Sequence, residues 1–348
     1  MSIEEKITGC LLGGAVGDAL GYPVEFMNWK KIRKIYGSSG ITSLESHGSK
    51  VEISDDTQMT LFTGEGLLNW LSSESKEDGP EVYLNQAYLD WYATQRQTAG
   101  YKPYTQLYGI KELHQLRAPG NACLAALRSQ KNGEFGTVEK PVNNSKGCGG
   151  IMRAAPAGLI EEKEGWTAAS LGAKAAAITH GHPLGYLPAA LLAETVHEIV
   201  YKDPKKEREL TDLLRSALRK VKLQFPQERE METLEELTEQ AIQLARKDEE
   251  DHKALRILGE GWTGEETWAV AVFACVKYSE DFQKALICSV NHEGDSDSTG
   301  AVAGNILGAY LGKTIVEQAF STENLELKEV IDQMGERLAL YSSRRSHA

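Results

Sequence analysis

The sequence predicts an all-α protein. Few segments alternate at period two, apolar residues recur at helical spacing in stretch after stretch, and proline, glycine and polar runs separate those stretches. With 348 residues and 41% hydrophobic side chains, the chain can bury a substantial core, so disorder is excluded. No fixed-period repeat and no linker divides it, and one domain over residues 1–348 is expected.

The elements follow in order. Ile7, Cys10, Leu11 and Gly14 fall on a helix over 3–21, and its glycines at 9, 13, 14, 17 and 21 would let another backbone approach closely. Asp18 is a lone carboxylate on that helix and needs a partner. Pro23 ends the helix. Residues 28–53 read as a connector of turns and short strands. Helices are expected over 55–71, around 81–96 and over 121–129, with a polar break at 72–80 and an irregular Tyr-, Pro- and Gly-rich stretch at 97–120. The loop 132–150 leads to helices at 151–161, 166–180 and from Pro183 through 201. The segment 203–255 carries Glu, Lys and Arg on solvated helix faces. Helices near 264–278, 281–289, 299–319 and 325–342 complete the chain, and the Ser-Arg-rich end is expected to fray.

A net charge of −12 argues against a duplex-DNA groove binder, which needs a basic face. The five cysteines contain no CxxC. Four of them (Cys10, Cys123, Cys275, Cys288) read as reduced, buried thiols of a cytoplasmic protein. Cys148 differs because it sits in a glycine loop. The N-terminus lacks a signal-peptide pattern. The apolar run Ile7–Val24 is interrupted by Asp18 and five glycines, so no membrane span is expected.

Two acidic clusters stand directly before apolar runs: Ser54-Asp55-Asp56-Thr57 and Asp295-Ser296-Asp297-Ser298-Thr299-Gly300. Carboxylates make good helix N-caps, and capping accounts for one such cluster. It accounts poorly for two. If the clusters converge, their repulsion must be offset by cations, and oxygen-only ligands select Mg²⁺, Mn²⁺ or Ca²⁺ over zinc. The loop Ser145-Lys146-Gly147-Cys148-Gly149-Gly150 runs into a helix expected from Ile151, an arrangement that suits a phosphate or is only a turn. His180 and His182 have no third histidine or cysteine at matching zinc spacing. A helix-end cap and a pocket wall are the open readings for them. Trp262 is either a core residue or a stacking surface for a base.

The motifs Gly13-Gly14-Ala15-Val16-Gly17-Asp18-Ala19-Leu20-Gly21 with Glu25, Ser54–Thr57, Gly147-Cys148-Gly149-Gly150-Ile151-Met152-Arg153-Ala154-Ala155-Pro156, Thr179-His180-Gly181-His182-Pro183 and Gly294–Gly300 occur in one order between residue 7 and about residue 313. Together they resemble the ADP-ribosylglycohydrolases. That resemblance implies a single orthogonal helical domain with a binuclear metal cleft holding two Mg²⁺ (or Mn²⁺). Ser54, Asp55, Asp56, Asp295, Asp297 and Ser298 would be the ligands. Asp55 or Asp56 would orient or deprotonate the water, and Glu25 would gate the cleft. Ser145, Lys146, Gly147, Cys148 and Gly149 would cradle the diphosphate and adenosine side, with His180 contacting ADP-ribose. Lys146 stands where some serine-directed members carry an aromatic residue, so stacking would fall to Trp262 or Tyr104. The loop Arg117–Asn121 lacks the carboxylate that the nitrogenase-regulating enzyme carries in the corresponding region.

The implied function is hydrolysis of ADP-ribose from a modified protein, with arginine as the first reading, through the N-glycosidic bond at ribose C1″. ADP-ribose is the product and a monomer is expected. Ser54, Ser298 and the His-x-His-Pro segment look closer to the arginine-directed members. The alternatives are an immunity protein against an ADP-ribosylating toxin, and a hydrolase of serine-, nucleic-acid- or small-molecule-linked ADP-ribose.

Overall fold

Helix α1 (Ile3–Gly21) is buried on every side from Lys6 onward, as a helix that is apolar all round must be. Ser2 caps its start by accepting the Glu5 N–H at 3.1 Å. Lys6 Nζ donates to the carbonyls of Ile199 (2.9 Å) and Val200 (3.2 Å), at the negative end of α8 (Pro183–Tyr201). The computed structural model describes residues 1–73, 78–96, 100–130, 133–162, 165–201 and 209–343.

The glycines of α1 meet α14 (Ser296–Leu311), which runs antiparallel to it. A β carbon added at Gly9, Gly13, Gly17 or Gly21 would lie 2.3, 2.3, 2.0 or 2.2 Å from the carbonyl oxygens of Gly308, Gly304, Gly300 and Ser296 respectively. The reverse holds too: added at Gly300, Gly304 or Gly308 it would lie 2.3, 2.0 or 2.1 Å from the oxygens of Gly17, Gly13 and Gly9. A glycine inside a helix costs about 1 kcal/mol relative to alanine. Here the cost is offset by backbone-to-backbone packing that any side chain would prevent. Asn305 Nδ2 adds a bond to the Cys10 carbonyl at 2.9 Å.

Against this pair pack α3 (Asp55–Ser72), α12 (Gly264–Lys277), α13 (Phe282–Val290) and α16 (Lys328–Ser343), with α4 (Pro80–Arg96) on α3, and α5 (Asn121–Ser129) and α7 (Ala168–Ala177) on α4. Among the described residues the only strands are β1 (Ser46–His47) and β2 (Lys50–Val51), an antiparallel pair with Ser46 opposite Val51. The all-α expectation holds.

The structure departs from the expected elements in three places. The connector 28–53 contains a helix, α2 (Trp29–Tyr36), whose N-cap Asn28 accepts the Lys31 N–H at 2.9 Å and which buries only Ile32. The expected helix 151–161 reduces to a 3₁₀ turn Cys148–Gly150 and a short α6 (Ala155–Gly158). Pro156 has no N–H to donate back to Met152 and stands in the first turn of α6, where that missing donor costs nothing, although α8 does run through Pro188. The expected helix 299–319 begins at Ser296 and is split by Gly312, at φ +89°, into α14 and α15 (Lys313–Ala319). The charged segment forms α9 (Leu210–Gln224), α10 (Glu230–Ala245) and α11 (Asp251–Leu258). Arg215 and Glu239 pair across two of these at 2.7 Å, above buried Leu213, Leu214 and Leu234. The expected fraying of the C-terminal tail concerns 344–348, which lie outside the described residues, as do 74–77 of the polar break.

Gly17→Ala would place a methyl group against the Gly300 backbone. It is expected to cost about 3 kcal/mol by urea unfolding. Gly109→Ala, with open space around the site, should change stability by less than about 0.5 kcal/mol.

Candidate metal centre and cleft

The partner that Asp18 requires is the start of α3. Its carboxylate accepts the Ser54 N–H at 2.9 and 3.0 Å, the Thr57 N–H at 3.1 Å and the Thr57 hydroxyl. Three donors and a helix N-terminus hold one buried charge. Burial nevertheless pushes its pKa up to about 6, against those hydrogen bonds. Because Asp18 projects from the helix locked to α14, it ties the first acidic cluster to the element that carries the second.

Asp55 and Asp56 occupy the first turn of α3, and Ser54 Oγ accepts the Asp56 N–H at 3.2 Å. Asp55 Oδ2 accepts the Gly120 N–H at 3.1 Å, which fixes that carboxylate. Asp56 Oδ2 is buried with no hydrogen-bond partner. From α14, the Ser298 N–H is shared by Asp295 Oδ1 (3.2 Å) and Asp297 Oδ1 (3.0 Å). Cys148 Sγ donates to Asp295 Oδ2 at 2.8 Å. Carboxylate oxygens of Glu25, Asp295 and Asp297 all lie within 4.8 Å of one another.

Both clusters and Glu25 face one cleft of about 270 Å³, together with Ser298, Gly147, Cys148, Gly149, His180 and Trp262. Ser54 is fully buried and does not line it. Neither do Ser145 and Lys146. Ser145 Oγ accepts the Gly147 N–H at 3.4 Å, and Lys146 Nζ pairs with Glu265. The glycine loop is held by strand-like bonds to residues 262–264, Cys148 N–H to Trp262 O (3.2 Å) and Gly264 N–H to Lys146 O (2.9 Å). The Cys148 amide is therefore spent, and no α-helix N-terminus opens there. The His180 ring lies against the loop, where a β carbon on Gly149 would come within 2.8 Å of its Cε1. Burial and then the nearby Arg153 guanidinium hold the His180 pKa down to about 3.

Trp262 is not a core residue: it is 36% exposed and stacks on Phe26, with ring centroids 5.2 Å apart. Tyr104 lies outside the cleft, its N–H donating to Asp90. Phe26 was not singled out by the sequence reading. It is 69% exposed at φ +62°, pinned by its N–H to Gly294 O at 3.3 Å. The only local hint of it is a large aromatic placed directly after Pro23-Val24-Glu25.

A model of the ADP-ribosylglycohydrolase family matches residues 1–348, and the chain belongs to that family. It is 26% identical over 345 residues to an uncharacterized protein of Archaeoglobus fulgidus, covering 97% of this chain and 96% of that one. It is 25% identical over 328 residues to the ADP-ribosyl-dinitrogen reductase glycohydrolase of Rhodospirillum rubrum, covering 89% and 87%. It is also 25% identical over 379 residues to the ADP-ribosylhydrolase ARH3 of Mus musculus, covering 97% and 93%. A solved structure titled ADP-ribosylglycohydrolase-related protein complex shares the fold, with a TM-score of 0.63 at 24% identity over 98% of this chain and 99% of that one. Family membership makes the chain a glycohydrolase of ADP-ribosyl groups.

The residues present fit divalent cations. Burial comes first, and the charges of neighbouring carboxylates follow, in pushing Asp55 up to about 8, Glu25 up to about 9, and Asp56 and Asp297 well above the usual carboxylate range. Among the described residues no lysine or arginine is one of the leading influences on these four groups. The donors are oxygens, as hard cations require, and the unpartnered Asp56 Oδ2 is one of them. With raised folded-state pKa values, the metal-free centre contributes its full stability below the unfolded carboxyl range near 4 and loses it as pH rises through about 6 to 9. Chelated protein should therefore melt at a lower temperature at pH 8 than at pH 5 in scanning calorimetry. Mg²⁺ or Mn²⁺ should raise the melting temperature more at pH 8, since ions compete with protons for the same oxygens.

Proposed function

We propose that this chain removes ADP-ribose from arginine on modified proteins, cleaving the N-glycosidic bond at ribose C1″ with two Mg²⁺ or Mn²⁺ ions as cofactors. The observation that supports this most is the convergence of Glu25, Asp55, Asp56, Asp295 and Asp297 with the glycine loop and His180 in a single cleft. Ser54, Asp55, Asp56, Asp295, Asp297 and Ser298 form the proposed ligand set. When bound, the ions supply Lewis acidity and counter-charge.

The chain's own residues do the rest. Asp55 or Asp56 accepts a proton from the attacking water; the first is fixed by Gly120, and the second has a free oxygen. The surrounding carboxylates stabilise the positive character that develops at C1″ as the bond breaks. Gly147, Cys148, Gly149 and His180 hold the diphosphate side. Trp262 offers the aromatic face that Lys146 does not. Glu25, beside the Phe26–Trp262 stack, closes the centre. The arginine assignment rests on Ser54, Ser298 and the Thr179–Pro183 segment. The reading extends to a single domain acting as a cytoplasmic monomer, and no described helix is long and apolar enough to cross a membrane.

A panel of arginine-, serine- and nucleic-acid-linked substrates, assayed for ADP-ribose release with and without chelator, tests the reading. Chelator-sensitive release from the arginine linkage is expected. Release from the other linkages alone would overturn the arginine assignment, and release from none would overturn the whole. Asp297→Asn is expected to lower divalent-ion affinity and turnover by at least about a hundredfold, with an unchanged far-UV circular dichroism spectrum.

A further inference from the structure

Arg153 is fully buried, and among the described residues none of its contacts is a carboxylate. Its guanidinium lies over the Tyr88 ring, 4.4 Å from the centroid. Nη1 reaches Cys123 Sγ (3.2 Å) and Met59 Sδ (3.4 Å). Nη2 donates to the Ala175 carbonyl (3.0 Å) and the Thr179 hydroxyl (2.6 Å). An unpaired buried charge is expensive, and packing alone would be served by an apolar residue. The hydroxyl at the end of this group is where the expense has a use.

A guanidinium only donates, so Thr179 Oγ1 accepts from Arg153. The hydroxyl proton then has His180 Nδ1, at 2.8 Å, as its strong acceptor; the Cys123 sulfur, also within reach of this hydroxyl, is a weak one. The opposite arrangement, with Nδ1–H donating to Thr179, leaves the buried hydroxyl proton only the weakly accepting Cys123 sulfur, which is costly. A protonated ring is opposed by burial and by the Arg153 charge. Other titratable groups near the ring are the Cys123 thiol, beside Gly149, and the Cys148 thiol of the loop. No described residue bonds His180 Nε2, which lies on the cleft side against Gly147 and Gly149.

We propose that Arg153 is a positioning residue that acts through the Thr179 hydroxyl to hold His180 as a neutral imidazole with its proton on Nε2. The ring then presents a fixed hydrogen-bond donor to an oxygen of the substrate behind the glycine loop. Only the identity of that oxygen, on a phosphate or a ribose of ADP-ribose, rests on the function proposed above.

The test is a long-range ¹H–¹⁵N spectrum of the full-length protein in Mg²⁺ buffer at neutral pH, with His180 assigned by difference from His180→Gln. A bare Nδ1 and a protonated Nε2 are expected. Thr179→Val, nearly isosteric but without the hydroxyl, should redistribute the proton toward Nδ1, and Thr179→Ser should restore the wild-type pattern. The affinity for ADP-ribose should fall about tenfold in Thr179→Val, as for one lost hydrogen bond, with Mg²⁺ affinity unchanged. A wild-type ring protonated on Nδ1, or a Thr179→Val spectrum identical to wild type, would overturn the proposal. Failure of the wild type to bind ADP-ribose would overturn the functional reading, and the spectrum would still decide the tautomer.

Discussion

Two helix backbones in direct contact set the terms for everything else. Glycines at every fourth position of α1, from Gly9 to Gly21, meet Gly308, Gly304, Gly300 and Ser296 with no room for a β carbon. One end of that contact delivers Asp18 to the start of α3. The same end places Asp295 at the N-cap and Asp297 in the first turn of α14. Residues nearly the whole chain apart thus become neighbours through a surface that carries no chemistry. The low helix propensity of so many glycines is tolerated because the interface fixes both position and angle of the two segments bearing the acids.

The centre is held in a frustrated state by that scaffold. Its carboxylates are largely buried, close to each other, and only some of their oxygens receive protein donors. Gly120 N–H serves Asp55, Ser298 N–H is divided between two aspartates, and Cys148 contributes a weak thiol donor. Asp18, by contrast, is saturated by amides and hydroxyls. The difference separates a structural carboxylate from acids left with spare acceptor capacity, and such capacity in a buried place calls for a cation.

Local pattern made much of this legible. The bounds of α1, α5 and α8 follow from apolar spacing, glycine and proline, and the structure reproduces them. Asp55, Asp56, Asp295 and Asp297 stood out as two charged turns before apolar runs, and they do share a cleft with Glu25. What spacing could not give was depth and direction. Ser54 is fully buried and does not line the cleft, and Lys146 pairs with Glu265, because tertiary partners decide where a side chain points. The partner of Asp18 lies 36 residues away, and that of the α1 glycines nearly 300. Pro156 belongs to a motif and also opens the short α6 that stands in place of the longer helix expected there. Phe26 gave almost no signal, since its position depends on a ring contact with Trp262 and a left-handed backbone that nothing local demands.

That last residue ties entrance to floor. Glu25 reaches the acids below, Phe26 covers the mouth above, and a single peptide unit joins them. Phe26 holds a left-handed backbone with its N–H on Gly294 O at 3.3 Å, so the residue that anchors this turn directly follows the acid. A charge at the floor and an aromatic face at the rim are thus set by one short stretch of main chain.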